Sequence, residues 1–326
     1  MPGSNRIKRS LNIALLGGTG FVGRNLLPVL TGMGHQCTVF SRHPERCRDI
    51  RMVPGVQLRY LNPHDSDALE SALEDHDAVV NLVGILNDSG RSGKGFEKAH
   101  VVLTENIIAA CEKNGISRLV HVSALGADND SPNASHYLKS KGQAEKLINQ
   151  SSLDTTIFRP SVIFGVDDSF FNRFAALLKW LPVLPLACPN AKMQPVWVGD
   201  VVNAIGKSFG SDETVGRTYT LVGSITVRLV EVVHFTAKTI GKKRLIIPLP
   251  DFVSRLQGLA CDFVPGKPFS SDNYRSLKID NVSKKDGLAE LGIDARPMAG
   301  LVGSYLGGSV KQQRFSAYRR NTFRRS

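Results

Sequence analysis

Short apolar runs alternate with amphipathic segments through the first half of the chain. The amphipathic segments repeat apolar residues three and four positions apart, as in Val22, Leu26 and Leu30, which is the period of one helix face. This alternation is typical of parallel strands joined by crossover helices. The predicted strands are 11–16, 36–41, 56–61, 78–84, 118–123 and 155–164.

The pattern changes after residue 165. A stretch rich in proline and aromatic residues predicts a loop with one short helix, and QPVWVGDVVNAIGKSF, starting at 194, predicts a strand end and a returning helix. From about 224, a helix, the strand RLIIPLP and further helices run to about 308. We therefore predict an α/β fold in which a smaller C-terminal α/β lobe accompanies a doubly wound parallel sheet. The sheet domain covers 10–165, continued by about 194–223, and the C-terminal substrate lobe covers 166–193 and 224–308.

A glycine-rich turn, GGTGFVG at 17–23, follows the first predicted strand and opens the first predicted helix. Glycines permit a tight turn and let backbone N–H groups approach a pyrophosphate, and the helix N-terminus adds partial positive charge. The strand–turn–helix context makes this a Rossmann nucleotide-binding motif. We predict a bound nicotinamide dinucleotide that contacts Gly17, Thr19, Gly20, Phe21, Val22 and Gly23.

The end of the second predicted strand indicates which dinucleotide is bound. An acidic residue there would bind the ribose 2′-hydroxyl of NAD. This chain instead has Ser41 and Arg42, with Arg46 close behind. A hydroxyl and a guanidinium suit the 2′-phosphate of NADP(H). We therefore predict NADP(H) in preference to NAD(H).

Tyr137 and Lys141 form a Y-x-x-x-K pair in a helical segment after the fifth predicted strand. Residues four apart share one helix face. The lysine charge, together with the nicotinamide ribose, is expected to lower the tyrosine pKa and make the phenol a usable general acid or base. Ser123, at the end of the fifth strand, is the candidate third catalytic residue, which would hydrogen-bond a substrate oxygen.

The glycine turn, the Tyr137/Lys141 pair and RPSVIFG at 159–165 resemble the extended and atypical short-chain dehydrogenase/reductase superfamily, which includes NAD-dependent epimerases and dehydratases. Within it, RPSVIFGVDDSFFNRFAALL, PVLPL and QPVWVGDVVNAI are similar to the Rossmann-fold accessory subunits of respiratory complex I and their bacterial relatives. The resemblance runs from about residue 11 to 306 and includes KIDNVSKKDGLAELGI at 278–293.

This resemblance implies a tightly held NADPH with Tyr137 and Lys141 against the nicotinamide ribose and Asn62 near the adenine. Further implied cofactor contacts are Leu82, Val83 and Gly84 after the fourth strand, and Pro160, Ser161 and Val162 after the sixth. Asn62 replaces an aspartate usual in the family. The run of hydroxyl residues usual after the fifth strand is here Ser123-Ala124-Leu125, which leaves binding intact but weakens catalysis, because an unassisted oxyanion costs a few kcal/mol.

Two hypotheses of function remain open. The first is an NADPH-binding accessory or assembly protein associated with respiratory or quinone machinery, with little or no turnover, as the resemblance to the non-catalytic complex I subunit implies. The second is an active reductase, epimerase or dehydratase that uses Tyr137 as proton donor and Lys141 as its electrostatic support. Both residues also bind the ribose, so their presence alone does not separate the two.

Charge changes this picture mainly at the C-terminus. The formal net charge is +12, and the last sixteen residues contain six cations, three aromatic residues and no acidic residue. This basic tail, 309–326, is either a solvated terminus or a segment that binds an anionic membrane or an acidic protein partner. No nucleic-acid partner is predicted.

Composition is that of an ordinary soluble protein, with 42% hydrophobic and 21% charged residues. The five scattered cysteines, without a CxxC pair, indicate a reducing compartment and no zinc site. His100, His121 and His136 lack metal-ligand spacing, and His121 is interpreted as a hydrogen-bonded core residue. No signal-peptide cleavage site or membrane-spanning run is recognised. A cytoplasmic location is expected, either free or peripheral at the inner face of a membrane.

Overall fold

The computed structural model describes residues 10–88, 90, 92–127, 134–264 and 269–306. The predicted basic tail, 309–326, lies outside the described residues. The chain divides into two compact units. The first comprises the described residues up to Pro160 together with Gly199–Leu221 and Asp286–Ile293, and the second comprises Ser161–Val198, Val222–Lys285 and the described residues from Asp294. No helix in the described part of the chain is long and apolar enough to cross a bilayer.

The strands are β1 (Asn12–Leu16), β2 (Gln36–Ser41), β3 (Val56–Tyr60), β4 (Ala78–Asn81), β5 (Arg118–Val122), β6 (Asp154–Pro160), β7 (Ile163–Phe164), β8 (Val183–Leu186), β9 (Lys192–Met193), β10 (Val196–Trp197), β11 (Arg217–Leu221), β12 (Val227–Arg228) and β13 (Leu245–Pro248). The helices are α1 (Phe21–Gly32), α2 (Ser66–Leu73), α3 (Lys94–Phe96), α4 (Leu103–Lys113), α5 (His136–Gln150), α6 (Phe171–Trp180), α7 (Val198–Lys207), α8 (Leu229–Thr239), α9 (Asp251–Cys261), α10 (Ser271–Leu277), α11 (Gly287–Glu290) and α12 (Met298–Leu306). A π-helical segment, Glu97–Val102, joins α3 to α4, and short 3₁₀ turns lie at Pro44–Arg46, Arg48–Met52 and Asp212–Thr214.

The first unit is built on a seven-stranded sheet in the order β11-β6-β5-β4-β1-β2-β3, and every pair in it is parallel. The central strands β1 and β4 are buried along almost their whole length, as expected where helices cover both faces of a parallel sheet. The predicted α/β fold with a doubly wound parallel sheet is therefore confirmed. Because Leu16 pairs with both Phe40 and Asn81, the segments after β1, β2 and β4 leave the sheet at the same edge.

Within its described residues, the second unit contains three two-stranded sheets, which pair β7 with β10, β9 with β12 and β8 with β13. Its core includes Phe164, Phe171 and Val232, contributed by β7, α6 and α8. The prediction of one strand over 155–164 is wrong at Pro160, where β6 ends. A proline has no N–H to donate to a neighbouring strand, and Ile163–Phe164 pairs with β10 instead. The prediction of a loop with one helix over 166–193 also misses the short strands β8 and β9.

Candidate functional site

The turn between β1 and α1 can be built only from glycine at two positions. Gly17 has a φ of 80°, and a Cβ there would lie 2.9 Å from the backbone of both Leu82 and Val83. A Cβ on Gly23 would lie 2.4 Å from the carbonyl oxygen of Gly18. The Gly20 N–H donates to the Gly17 carbonyl at 3.0 Å and closes the turn. These contacts hold the start of α1 directly against the end of β1 and the segment after β4.

The first turn of α1 has the features of an anion site. Its N-cap, Gly20, supplies no side-chain hydrogen bond, and the first turn contains no acidic residue. The N-terminal N–H groups of a helix have no partner within the helix, and the helix dipole favours negative charge there. Arg24 was not predicted from the sequence: its Nε donates to the Thr19 carbonyl at 2.8 Å, and its guanidinium pairs with Asp49. Arg24 therefore fixes the turn while carrying positive charge beside it.

The ends of β2 and β3 lie side by side, because Ser41 pairs with Tyr60. The Leu61 N–H donates to the Ser41 carbonyl at 3.0 Å, which brings the following residue, Asn62, close to Arg42. The Asn62 side chain accepts from the His64 N–H at 3.3 Å. Burial and the charges of Lys98 and Arg42 lower the pKa of His64. Arg42 is exposed, and its charge and that of Lys98 act on His64 at the ends of β2 and β3.

Helix α5 carries the Y-x-x-x-K pair, and Ser135 caps its N-terminus by accepting from the Leu138 N–H at 3.2 Å. Lys141 is buried, and its Nζ donates to the Val122 carbonyl at 3.0 Å and the Val83 carbonyl at 3.3 Å. It therefore joins α5 to the ends of β4 and β5. Burial lowers the pKa of Lys141 to about 8.

Tyr137 departs from the expectation for a catalytic phenol. Burial raises its pKa to about 12 in the protein alone, whereas the sequence analysis expected Lys141 and the nicotinamide ribose together to lower it. In the protein alone, burial therefore favours the protonated form of the Tyr137 phenol. The Ser123 hydroxyl, at the end of β5, is buried without a hydrogen-bond partner among the described residues. The next residue, Ala124, packs in a small apolar cluster with Leu138, against which Tyr137 lies.

His100 is a site residue that the spacing of the sequence did not reveal. It lies in the π-helical segment, a feature often found at functional sites, and its ring packs 5.7 Å from the Tyr137 ring. Its Nε2 accepts from the Ile85 N–H at 3.2 Å, so the neutral ring carries its proton on Nδ1, which donates to the Ser140 hydroxyl at 2.8 Å. The Ser140 hydroxyl donates in turn to the Tyr137 carbonyl at 2.9 Å. Burial and the nearby Lys141 lower the pKa of His100 to about 2, so it stays neutral.

The interpretation of His121 as a hydrogen-bonded core residue is wrong. The residue is buried on β5, but neither ring nitrogen has a partner among the described residues. Burial, followed by the charges of Lys141 and His100, lowers the pKa of His121. Among the residues the structure describes, no group of three or more His, Cys, Asp or Glu side chains could hold a metal ion.

The structure brings most of the predicted site residues of the first unit to one edge of the sheet. Gly17 meets Leu82 and Val83, and a Cβ on Gly84 would lie 3.5 Å from Lys141 Nζ. The Pro160 carbonyl accepts from the Leu125 N–H at 2.9 Å, two residues after Ser123. Ser161 and Val162 belong to the second unit, where the Ser161 hydroxyl donates to the Asn281 carbonyl at 3.2 Å.

Comparisons with known proteins agree with this geometry. A family profile described as NAD(P)H-binding matches residues 17–169. Over 297 residues, the chain is 30% identical to NADH dehydrogenase (ubiquinone) 1 alpha subcomplex subunit 9, mitochondrial, of Rattus norvegicus, covering 87% of this chain and 76% of the relative. It is 25% identical to N-acetyl-alpha-D-glucosaminyl-diphospho-ditrans,octacis-undecaprenol 4-epimerase of Escherichia coli O157:H7, covering 82% of this chain and 85% of that protein.

A solved structure with the same fold is the NADPH-dependent quinone oxidoreductase of Escherichia coli, complexed with NADPH. It superposes with a TM-score of 0.72 at 18% sequence identity and covers 90% of this chain and 99% of that one. At this identity the likeness shows the fold alone. The profile match and the geometry of the turn together show that the chain carries an NAD(P)H-binding domain.

Proposed function

Because the chain belongs to the family of NADH dehydrogenase (ubiquinone) 1 alpha subcomplex subunit 9, we propose that it is an NADP(H)-binding accessory or assembly protein with little or no turnover. The partner that the relative's name suggests is respiratory complex I or another quinone-linked assembly. Such a role places the protein at the periphery of a respiratory membrane.

The observation that carries the cofactor proposal is the hydrogen bonding of Lys141. Its ammonium group has three protons, and two of them go to the carbonyls of Val83 and Val122. A ribose hydroxyl is a suitable acceptor for the third. The unpaired Ser123 hydroxyl and the uncapped first turn of α1 provide further polar groups at the same edge of the sheet. These groups fit a dinucleotide that lies along the ends of β1, β4 and β5.

Different groups of the protein would bind the pyrophosphate, the nicotinamide ribose and the 2′-phosphate of the dinucleotide. The N–H groups at the start of α1 would hold the pyrophosphate, and Lys141 with Tyr137 would hold the nicotinamide ribose. Arg42 and Ser41 would bind the 2′-phosphate, near which Arg42 and Lys98 both supply positive charge that acts on His64. A bound NADPH would be a hydride donor, and these protein groups would orient it.

The nucleotide preference can be measured directly. We expect the protein to bind NADPH more tightly than NADH, and Arg42→Glu to weaken NADPH binding by about thirtyfold, because one charge-assisted hydrogen bond to an ion is worth about 2 kcal/mol. NADH affinity should change little. Arg217→Glu is the matched control. Arg217 is also exposed, but it begins β11, the outermost strand on the side of the sheet away from β2 and β3. Titration calorimetry of the three proteins with both nucleotides gives six dissociation constants, and equal or tighter NADH binding by the unmodified protein would contradict the preference.

Low turnover is supported by the two departures in the catalytic set. Burial raises the pKa of Tyr137, so the phenol is a poor base near neutral pH. Ala124 and Leu125 supply no hydroxyl beside Ser123 to polarise a carbonyl.

We expect purified protein to retain NADPH unoxidised when it is incubated with panels of carbonyl compounds and quinones. Subunits of a respiratory complex should be recovered with the tagged chain from its native cells.

The alternative is an active reductase, epimerase or dehydratase, favoured by the half-buried Tyr137 and the buried Lys141, which share one face of α5. Tyr137→Phe separates the two functions, because it removes the only acidic proton of the side chain and leaves the ring in place. For an accessory protein we expect NADPH affinity within about fivefold of the original, since one neutral hydrogen bond is worth about 1 kcal/mol at most sites. Tyr219→Phe, on a buried tyrosine stacked on Phe158, is the control. Turnover that Tyr137→Phe abolishes while NADPH affinity is retained would establish the enzyme.

A further inference from the structure

The sheet formed by β8 and β13 in the second unit is apolar on both faces. Leu184 and Ile246 are paired across the two strands and are buried in the core of the unit. The flanking pairs, Val183 with Leu245 and Pro185 with Ile247, are exposed. A two-stranded sheet that meets water on its outer face normally alternates apolar residues inside with polar residues outside. The outer face therefore has the composition of a buried surface.

The end of α6 extends this face. Trp180, the last residue of the helix, is 86% exposed, and Leu181 and Pro182 after it are exposed as well. The Leu245 N–H donates to the Pro182 carbonyl at 3.1 Å, which places the end of α6 beside the first residue of β13. We name as the Trp180 surface the exposed apolar residues Trp180, Leu181, Val183, Pro185, Leu245 and Ile247. Clusters of exposed apolar residues of this kind mark interaction sites.

The surroundings of the Trp180 surface are positively charged. Lys179, Lys242 and Lys243 are exposed in the segments that lead into it. Arg244 Nε donates to the Leu178 carbonyl at 2.7 Å and its Nη2 to the Lys179 carbonyl at 3.3 Å, which holds the two segments together. Neither 176–185 nor 238–249 contains an acidic residue. The surface thus combines apolar side chains with unopposed cations.

Helix α9, which follows β13, also exposes large apolar residues and buries small ones. Three large apolar residues form one stripe of α9, and all of them are exposed: Phe252, Leu256 and Leu259. Phe263, two residues after the end of the helix, is exposed as well. The small residues Ser254 and Gly258 are the ones that α9 buries. An added Cβ on Gly258 would lie 3.3 Å from the backbone of Ser270 and Ser271, so α9 packs through its small side and presents its large side outward.

We propose that the second unit docks on an anionic lipid bilayer through the Trp180 surface. Tryptophan prefers the interface between water and hydrocarbon. Leucine, isoleucine and valine side chains gain free energy by entering the acyl region, and lysines beside them are attracted to anionic headgroups. Unopposed lysines match the negative charge of such headgroups, whereas a protein partner for this surface would have to supply the acidic groups itself. The stripe of α9 provides more area of the same chemistry in the same unit.

Flotation of the full chain with lipid vesicles tests the electrostatic part of the proposal. We expect binding to vesicles of phosphatidylcholine mixed with phosphatidylserine, and much weaker binding to phosphatidylcholine alone. Lys242→Glu/Lys243→Glu should weaken binding by about thirtyfold or more, because each cation near an anionic surface adds about a fivefold factor. Lys284→Glu/Lys285→Glu makes the same charge change at two exposed lysines outside both segments and should have little effect. The basic tail is present in all variants, so its contribution is common to them.

Tryptophan fluorescence tests the apolar part. The chain has two tryptophans, Trp180 and Trp197, and an exposed Trp180 should show a blue shift when it enters the interface of the vesicles. Trp180→Ser should remove the shift and weaken vesicle binding about tenfold, while Met52→Ser, at another exposed apolar residue, should not. Circular dichroism confirms that each variant is folded. Failure of the full chain to bind the mixed vesicles overturns the proposal, as does equal binding by Lys242→Glu/Lys243→Glu and its control.

Discussion

Gly23→Ala is expected to weaken NADPH binding by about a hundredfold or more and to lower the free energy of unfolding by about 3 kcal/mol. The new Cβ would lie 2.4 Å from the Gly18 carbonyl oxygen and 2.5 Å from the Gly18 Cα, which are backbone atoms that cannot rotate away. Relief requires the turn and α1 to separate, and overpacking of this kind costs roughly 1–3 kcal/mol or more. Separation also displaces the N–H groups that would hold the pyrophosphate, each worth about 2 kcal/mol with a charged acceptor.

Gly32→Ala in the same helix is the matched control. A Cβ on Gly32 meets nothing within 4 Å, so the variant should bind NADPH normally and change stability by less than about 1 kcal/mol. Binding is measured by fluorescence or calorimetric titration and stability by chemical denaturation of the nucleotide-free protein. Gly23→Ala protein that binds NADPH as tightly as Gly32→Ala protein would show that the turn does not hold the nucleotide.

Arg159→Met should lower the free energy of unfolding by about 2–3 kcal/mol. Glu145 on α5 is buried, with its side chain 3% exposed, and both of its carboxylate oxygens accept from Arg159 Nε at 2.9 Å. A second contact, from Arg159 Nη2, completes a two-pronged pair. Removing Arg159 leaves the buried Glu145 carboxylate without these hydrogen bonds, at a cost of about 2–3 kcal/mol, because Arg159 is itself 36% exposed and its charge is partly screened by water. Because the pair ties β6 to the helix that carries Tyr137 and Lys141, nucleotide affinity should fall as well.

The double variant Arg159→Met/Glu145→Leu distinguishes the contribution of the ion pair to stability from that of side-chain packing. Apolar replacement of both members of a buried pair is often neutral or stabilising, so the double variant should recover most of the stability that Arg159→Met loses. Denaturation of the two single variants and the double variant completes a thermodynamic cycle. A loss below about 1 kcal/mol for Arg159→Met would mean that Glu145 is stabilised without its partner.

Much of the fold could be predicted because it depends on local pattern. Strands β1, β2, β3 and β5 are found within one or two residues of their predicted bounds. For β1 and β5 the reason is that a strand buried on both faces leaves a continuous apolar run. The turn at 17–23 was recognisable because few residues other than glycine tolerate its geometry, as the contacts of Gly17 and Gly23 show. Tyr137 and Lys141 were expected on one helix face, and both lie on α5.

The sequence was less informative about contacts between elements that are distant along the chain. Pro160 is a signal for the end of β6, but the apolar pattern alone runs on through Ile163–Phe164, and the partner of that second stretch, β10, is more than thirty residues away. His100 appeared unremarkable by spacing, yet the π-helical segment brings its ring against Tyr137. A pKa depends on burial by distant elements, so the direction of the Tyr137 shift could not be obtained from the lysine four residues away.

The sequence by itself determined the class of fold, the place of the nucleotide turn and the helix with the Tyr137/Lys141 pair, because these depend on periodicity and on backbone freedom over a few residues. Only the tertiary structure decided that Lys141 is tied to the carbonyls after β4 and β5, and that the Ser123 hydroxyl has no partner among the described residues. The tertiary structure alone also decided that Trp180 and the outer side chains of β8 and β13 are exposed. An apolar run has the same hydropathy whether it is buried or exposed, and the difference depends on which neighbours cover it.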